Sequence, residues 1–197
     1  LDIPAISTGV ATVDGSAAEG SPLVIGYERL PAGITVSTVD QADRVLVPFD
    51  RISALAYGAA KQVTLVEVDP ESGRGAKAGG GVSAPAEPAY LTVTGGGAGG
   101  YSFARTQIRT GAFAKAVVIV EQRGSVTLAD NVEVVVGDGA QLTLVTVANW
   151  NPDAVQAQHV RFRLGRAARV VHVQVALGGN LVRQFTSVEY TDRGGDA

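Results

Sequence analysis

From residue 105 onward the apolar positions fall into short runs separated by one recurring step. Arg105–Arg109 is followed by Gly111-Ala112-Phe113-Ala114-Lys115 and then the run Ala116–Val120. Val132–Val136 is followed by Gly137-Asp138-Gly139-Ala140-Gln141 and the run Leu142–Val147. Val160–Leu164 is followed by Gly165-Arg166-Ala167-Ala168-Arg169 and the run Val170–Val175. The unit is strand, Gly-x-x-Ala-Lys/Gln/Arg, strand, with glycines at 111, 137 and 165 and hence periods of 26 and 28 residues. A fourth unit begins at Val188-Glu189-Tyr190 and reaches Gly194, a period of 29. A repeat of this size holding two or more strands is one coil of a β-solenoid, in which each coil buries its edges only by stacking on the next. Stacking predicts parallel pairing, with Val118, Leu144 and His172 in one column and Ile119, Val145 and Val173 in its neighbour. A β-sandwich with coincidental spacing is the competing architecture, and three aligned units with the same step count against it.

The first half reads differently. Residues 1–60 form a mixed region with strand-like pieces at Leu23–Tyr27, Ile34–Val39 and Arg44–Val47. Asp50 is placed to N-cap a short helix over about 50–58, because Ile52, Leu55 and Ala56 recur at helical spacing before Gly58. Residues 61–104 hold a strand over Gln62–Val68 and a Gly/Pro-rich insertion over 69–88, with Gly95–Gly100 as a second breaker. Lys77 and its glycines are no P-loop, since Gly-Lys-Ser/Thr and a leading strand are both missing.

Composition reinforces the strand reading: 30 valines, 25 glycines and only 6% aromatics suit pleated, half-buried strands joined by tight turns. A hydrophobic share of 46% excludes general disorder, and a net charge of -3 makes no broad bid for nucleic acid. There is no membrane-length apolar run and no signal-peptide pattern. With no cysteine, thiolate chemistry and cysteine-ligated clusters are outside this sequence's reach. Methionine is absent even at position 1, and the expectation is that the natural start has been removed and the chain is a fragment.

Three stretches together resemble the core of the SufB/SufD family: Asp130–Ala140, Asn149-Trp150, and Leu177-Gly178-Gly179-Asn180-Leu181-Val182-Arg183. Phe49–Gly58, a short helix before a strand, is similar to that family's lead into its core. The Leu-Gly-Gly-x-Leu-Val-Arg stretch is closer to SufD than to SufB. The resemblance covers roughly residues 45–197. It implies an all-β fold, a right-handed parallel β-helix with a small mixed N-terminal region, whose coils over 105–197 are truncated at the C-terminus. It also implies a noncatalytic cytoplasmic scaffold for iron–sulfur cluster assembly, with a SufB-like paralogue and a SufC-like ATPase as partners. The cysteine and histidine that the family uses in cluster building, and its ATPase-docking helices, correspond to positions beyond residue 197. The expectation is therefore that this segment binds no cluster, does not capture the ATPase, and self-associates through its uncovered last coil.

Chemistry of the segment's own is weighed against that background. His159, in the polar run Gln156–His159, reads as a solvent-facing turn residue just before a strand; His172 points inward or sits near a corner. Thirteen residues separate them without a ligand spacing, although iron held by His172 with Glu133 or Asp138 is conceivable. Parallel β-helices also serve polysaccharide lyases and hydrolases, which need clustered carboxylates. Asp130, Glu133, Asp138 and Asp153 are the candidates, and they read as scattered turn and strand residues. Asn149 and Trp150 read as a corner cap. Arg161 and Arg163 alternate with apolar neighbours and fall on an outward strand face, with Arg166 and Arg169 in the following step. No catalytic, cofactor-binding or metal-ligating residue is assigned. A carbohydrate-active β-helix enzyme and a self-assembling structural β-helix are the alternatives to the scaffold.

Overall fold

Each Gly-x-x-Ala step is a tight turn closed by an alanine N–H donating to the glycine carbonyl: Ala114 to Gly111 at 3.3 Å, Ala140 to Gly137 at 3.0 Å, Ala168 to Gly165 at 3.3 Å. The computed structural model describes residues 23–73 and 87–197. In it all three alanines are fully buried, and the glycines lie directly on the preceding coil. A Cβ on Gly111 would come within 2.6 Å of the Pro70 ring, and one on Gly137 within 2.8 Å of the Thr110 carbonyl oxygen. Small residues recur here because coils touch here.

The described residues hold nine strands and one helix: β1 (Leu23–Arg29), β2 (Ile34–Val39), α1 (Arg51–Ala59), β3 (Val63–Val68), β4 (Ala89–Thr110), β5 (Lys115–Val136), β6 (Gln141–Trp150), β7 (Val155–Leu164), β8 (Arg169–Ala176) and β9 (Leu181–Tyr190). Strands make up 62% and wind into a β-solenoid of about four turns. The long strands β4 and β5 each pass through a corner. Their first parts stack in parallel with β6 and then β8. Their second parts stack in parallel with β3, β7 and β9. We call these the first and second stacks. Parallel pairing between successive coils excludes the sandwich. At the N-terminal end β1 pairs antiparallel to β4 and β2 antiparallel to β3.

The expected columns are present: Val118 faces Leu144 and Leu144 faces His172, while Ile119, Val145 and Val173 align beside them. Inward positions of both stacks merge into one core that includes Val66, Ile108, Val118, Val134, Leu144, Phe162 and Leu164. Fully burying aliphatic side chains of this size stabilises a fold by about 1.5–3 kcal/mol each. α1 begins as the pattern predicts, with the Asp50 carboxylate accepting from the Ser53 N–H in a capping box.

Three expectations need correction. The fourth turn does not reach register at Gly194. The Thr191 N–H donates to Leu164 O just as Gly165 donates to Val136 O, so Thr191 occupies the glycine position, one 26-residue step on. Arg44–Val47 is not a strand: the N–H groups of Val45 and Leu46 go to a side chain instead of a neighbouring ladder. Gly95–Gly100 does not break the chain into two elements; β4 continues through it, with its register to β5 shifting between Gly96 and Tyr101. There the glycines form the corner between the stacks. Most of the 69–88 insertion, with Lys77, lies outside the described residues.

Gly124 tests the corner. Its φ is +86°, and a Cβ would sit 2.3 Å from the Gly95 carbonyl oxygen. Gly124→Ala should destabilise the fold by roughly 2–3 kcal/mol, from left-handed strain and a backbone clash. Gly58 lies within α1 with nothing within 4 Å of its would-be Cβ, so Gly58→Ala should stabilise by about 0.5–1 kcal/mol. Urea unfolding of both variants checks the pair; equal midpoints would count against the corner packing.

Candidate functional site

The alternation of a strand assigns every second residue of the second stack to its outer face. Register then places Arg105, Asn131, His159 and Phe185 in one outward column, and Gln107, Glu133, Arg161 and Ser187 in the next. Such columns would ordinarily be solvated. Here residues 40–62, the connection between β2 and β3, run back across them as a strap that includes α1, and several of these polar side chains are fully buried.

Glu133 is the hub. Its Oε1 accepts from the N–H groups of Val45 at 3.0 Å and Leu46 at 2.8 Å, and its Oε2 accepts from Arg105 Nη2 at 2.7 Å. The carboxylate is wholly buried with its guanidinium partner 9% exposed. A buried pair of this kind is weakly stabilising as a whole, and breaking it is costly. Arg105 also stacks over the Tyr57 ring at 4.1 Å. Around this hub Asn131 Nδ2 donates to Ser53 O, Gln107 Nε2 donates to Asp43 O, and Arg109 pairs with Asp43.

His159 lies inside β7 and is buried, which corrects the reading of it as an exposed turn residue before the strand. Its ring meets Phe49 edge-on at 4.8 Å and Phe185 at 5.1 Å, and its Nε2 lies 3.1 Å from Ser187 Oγ. Burial holds its pKa below the usual histidine value; Asp50 opposes that and Arg161 and Arg183 add to it. Arg183 pairs with Asp50 and lies over the Phe49 ring. Burial resists ionisation of Asp50, but the Ser53 N–H and Arg183 outweigh it and hold its pKa down to about 2. Arg161 and Arg163 do face outward and share Glu189.

A second polar group sits inside the solenoid. Asp130 accepts from Gln156 Nε2 at 3.2 Å and from Gln158 Nε2 at 2.6 Å, and Trp150 Nε1 donates to Gln156 Oε1 at 2.8 Å. Trp150 therefore packs in the core beside its corner, while Asn149 at the same corner is exposed. Among the described residues no cation partners Asp130, and burial pushes its pKa from the usual 3.8 up to about 6, with the two glutamines only partly offsetting it.

The structure does not bring the four candidate carboxylates together. Asp130 points inward and Glu133 outward. Asp138 and Asp153 belong to the turn and the corner at opposite ends of the ten-residue β6, about 30 Å apart at strand rise. Both act locally: Asp138 accepts from the Arg166 N–H and Asp153 from Ser125 Oγ. The conceivable iron set fails geometrically, since His172 is in the first stack, Glu133 is under the strap and Asp138 is in a turn. His172 contacts Phe162 and Thr146 Oγ1, and burial lowers its pKa to about 4. Among the described residues no group of three or more histidines or carboxylates is placed to hold a metal. Arg105, Asp50, Gln156, Gln158 and Arg183 were missed as site residues. Strand parity counted from the Gly-x-x-Ala steps would have found the inward Asp130, Gln156 and Gln158.

Asp130 makes a pH prediction. Its folded pKa is above its unfolded one, so its protonated form is favoured by folding and the associated stability is lost as pH rises from about 4 through 6. The span corresponds to at most roughly 3 kcal/mol. Urea unfolding between pH 4 and 7 should show the wild type losing stability relative to Asp130→Asn as pH rises. Parallel curves would contradict an ionisable core aspartate.

Comparison with known proteins assigns this architecture. Residues 92–197, more than half the chain, match the family model described as SUF system FeS cluster assembly, SufBD core domain. Iron–sulfur cluster assembly SufBD family proteins of Mycobacterium bovis and Mycobacterium tuberculosis are each 38% identical over 189 residues, covering 93% of this chain and 44% of the relative. One from Mycobacterium leprae is 35% identical over 188 residues, covering 93% and 45%. The chain thus spans less than half the length of the curated relatives it matches. No solved structure gives a significant match. Among the described residues no helix is long and apolar enough to cross a membrane. With the family match lying on the stacked coils themselves, the chain belongs to the SufBD family of iron–sulfur cluster assembly proteins.

Proposed function

We propose that this chain is part of a noncatalytic scaffold subunit of a cytoplasmic iron–sulfur cluster assembly complex, pairing with a SufB-like paralogue and served by a SufC-like ATPase. The observation that carries the reading is the family match over residues 92–197, which falls on the coils of the solenoid. The Leu177–Arg183 stretch favours the SufD-like member of the pair. The chemistry of the side chains agrees with a structural part. Thiolates are the usual cluster ligands, and the chain has no cysteine. Both histidines are held toward the neutral form by burial, and the carboxylates a glycosidase would need are dispersed. In this reading iron and sulfide are cargo assembled elsewhere in the complex, and the solenoid supplies a rigid body of fixed length.

Two experiments test it. Co-expression of the full-length parent with its ATPase and a cysteine-bearing paralogue should give a stable complex on gel filtration. Elution of the parent alone, or polysaccharide cleavage by it, would overturn the assignment. Anaerobic incubation of residues 1–197 with ferrous iron and sulfide should leave the protein colourless after desalting. Retained iron and sulfide that disappear in His172→Ala would show that this segment takes part in cluster binding.

A further inference from the structure

The strap is a loop of more than twenty residues whose two ends are pinned together. Val39, the last residue of β2, pairs with Val63, the first of β3. Because β2 and β3 hold its ends, the strap can leave the second stack without disturbing a single coil-to-coil hydrogen bond.

Little apolar burial holds it down, and most of its attachment is polar. Val45, Leu46 and Ala56 are its deeply buried apolar side chains, whereas Val47, Phe49, Ile52 and Leu55 remain 41–75% exposed. The rest of the contact is the Phe49 ring against His159 and Phe185 and a set of polar groups that is incompletely matched. Tyr57 Oη, Arg105 Nε, Gln107 Oε1, Asn131 Oδ1, His159 Nδ1 and Arg161 Nε are buried at or beside it without a protein hydrogen-bond partner. Buried polar atoms left unpaired weaken an interface, and water satisfies them once it opens. The coils beneath have continuous parallel ladders and an aliphatic core. A segment with few buried apolar contacts beside such a body lies at the low end of a protein's range of local stability.

We infer that residues 40–62 lift from the second stack as one unit, hinged at the Val39–Val63 pair, while the coils stay folded, and that Glu133 is the latch. Opening uncovers the columns Arg105–Asn131–His159 and Gln107–Glu133–Arg161. This face is now occupied by the protein's own backbone. The latch assignment follows from Glu133 Oε1 accepting both strap N–H groups, of Val45 and Leu46, while Oε2 is held by Arg105. This device is independent of the proposed assembly role.

Hydrogen–deuterium exchange of the 197-residue chain tests it directly, because the Val45 and Leu46 amides report on the Glu133 contact. Strap amides should exchange at least about 10-fold faster than those of β5 and β7. Glu133→Gln, which removes the charge of the acceptor, should speed the strap by a further factor of about 10 and leave β5 and β7 unchanged. Arg183→Ala, at the half-exposed pair with Asp50, should accelerate the whole of residues 40–62 with β5 and β7 unchanged, and serves if Glu133→Gln does not fold. Strap and strands exchanging together in the wild type would overturn the inference. So would Glu133→Gln accelerating β5 and β7 as much as the strap, or Arg183→Ala leaving the strap unchanged or accelerating residues 49–59 alone.

Discussion

Backbone hydrogen bonds between successive coils govern the rest of this molecule. Parallel ladders run from β4 to β5, from β5 to both β6 and β7, and on to β8 and β9. Once these ladders are in register, each side chain lies beside its equivalent one coil away and has the same inward or outward direction. The Gly-x-x-Ala turn serves that register. Its alanine fits the closed inner bend, and its glycine allows the next turn to lie against it without displacing the carbonyls below. A Cβ on Gly111 or Gly137 would press on the coil below, whereas the last turn accommodates Thr191 at that place.

The two buried carboxylates illustrate how little separates opposite environments in such a lattice. Asp130 and Glu133 are three residues apart on β5 and so face opposite sides of one strand. Asp130 enters the core, where it accepts from the amides of Gln156 and Gln158, and burial raises its pKa. Glu133 meets Arg105 and two backbone N–H groups of the strap. One carboxylate is a source of pH sensitivity in the core. The other joins a remote segment to the coils.

Those roles bear on what a solenoid can contribute to an assembly system. Its stacked ladders give a stiff body, and its chemistry is spent internally on ion pairs, caps and turn hydrogen bonds. The covered outer face of the second stack is different. It is rich in polar groups, several of them unmatched, and it is closed by a segment tethered at both ends.

The sequence by itself determined the coil: its period, its turn chemistry, the columns Val118–Leu144–His172 and Ile119–Val145–Val173, the helix capped by Asp50, and the family. These features are local or strictly periodic, so spacing and side-chain size are enough to reveal them. The register error at Gly194 arose where Thr191 replaced the marker glycine and the period could no longer be seen. Tertiary structure alone decided the fate of the polar residues. Arg44–Val47 has strand-like composition, yet the N–H groups of Val45 and Leu46 are claimed by Glu133, 88 and 87 residues away. His159 sits in a polar run that reads as exposed, and it is buried because Phe49 and the strap cross the column it occupies. Whether an outward polar side chain is solvated or enclosed depends on what a distant part of the chain lays over it, and no pattern within its own strand carries that information.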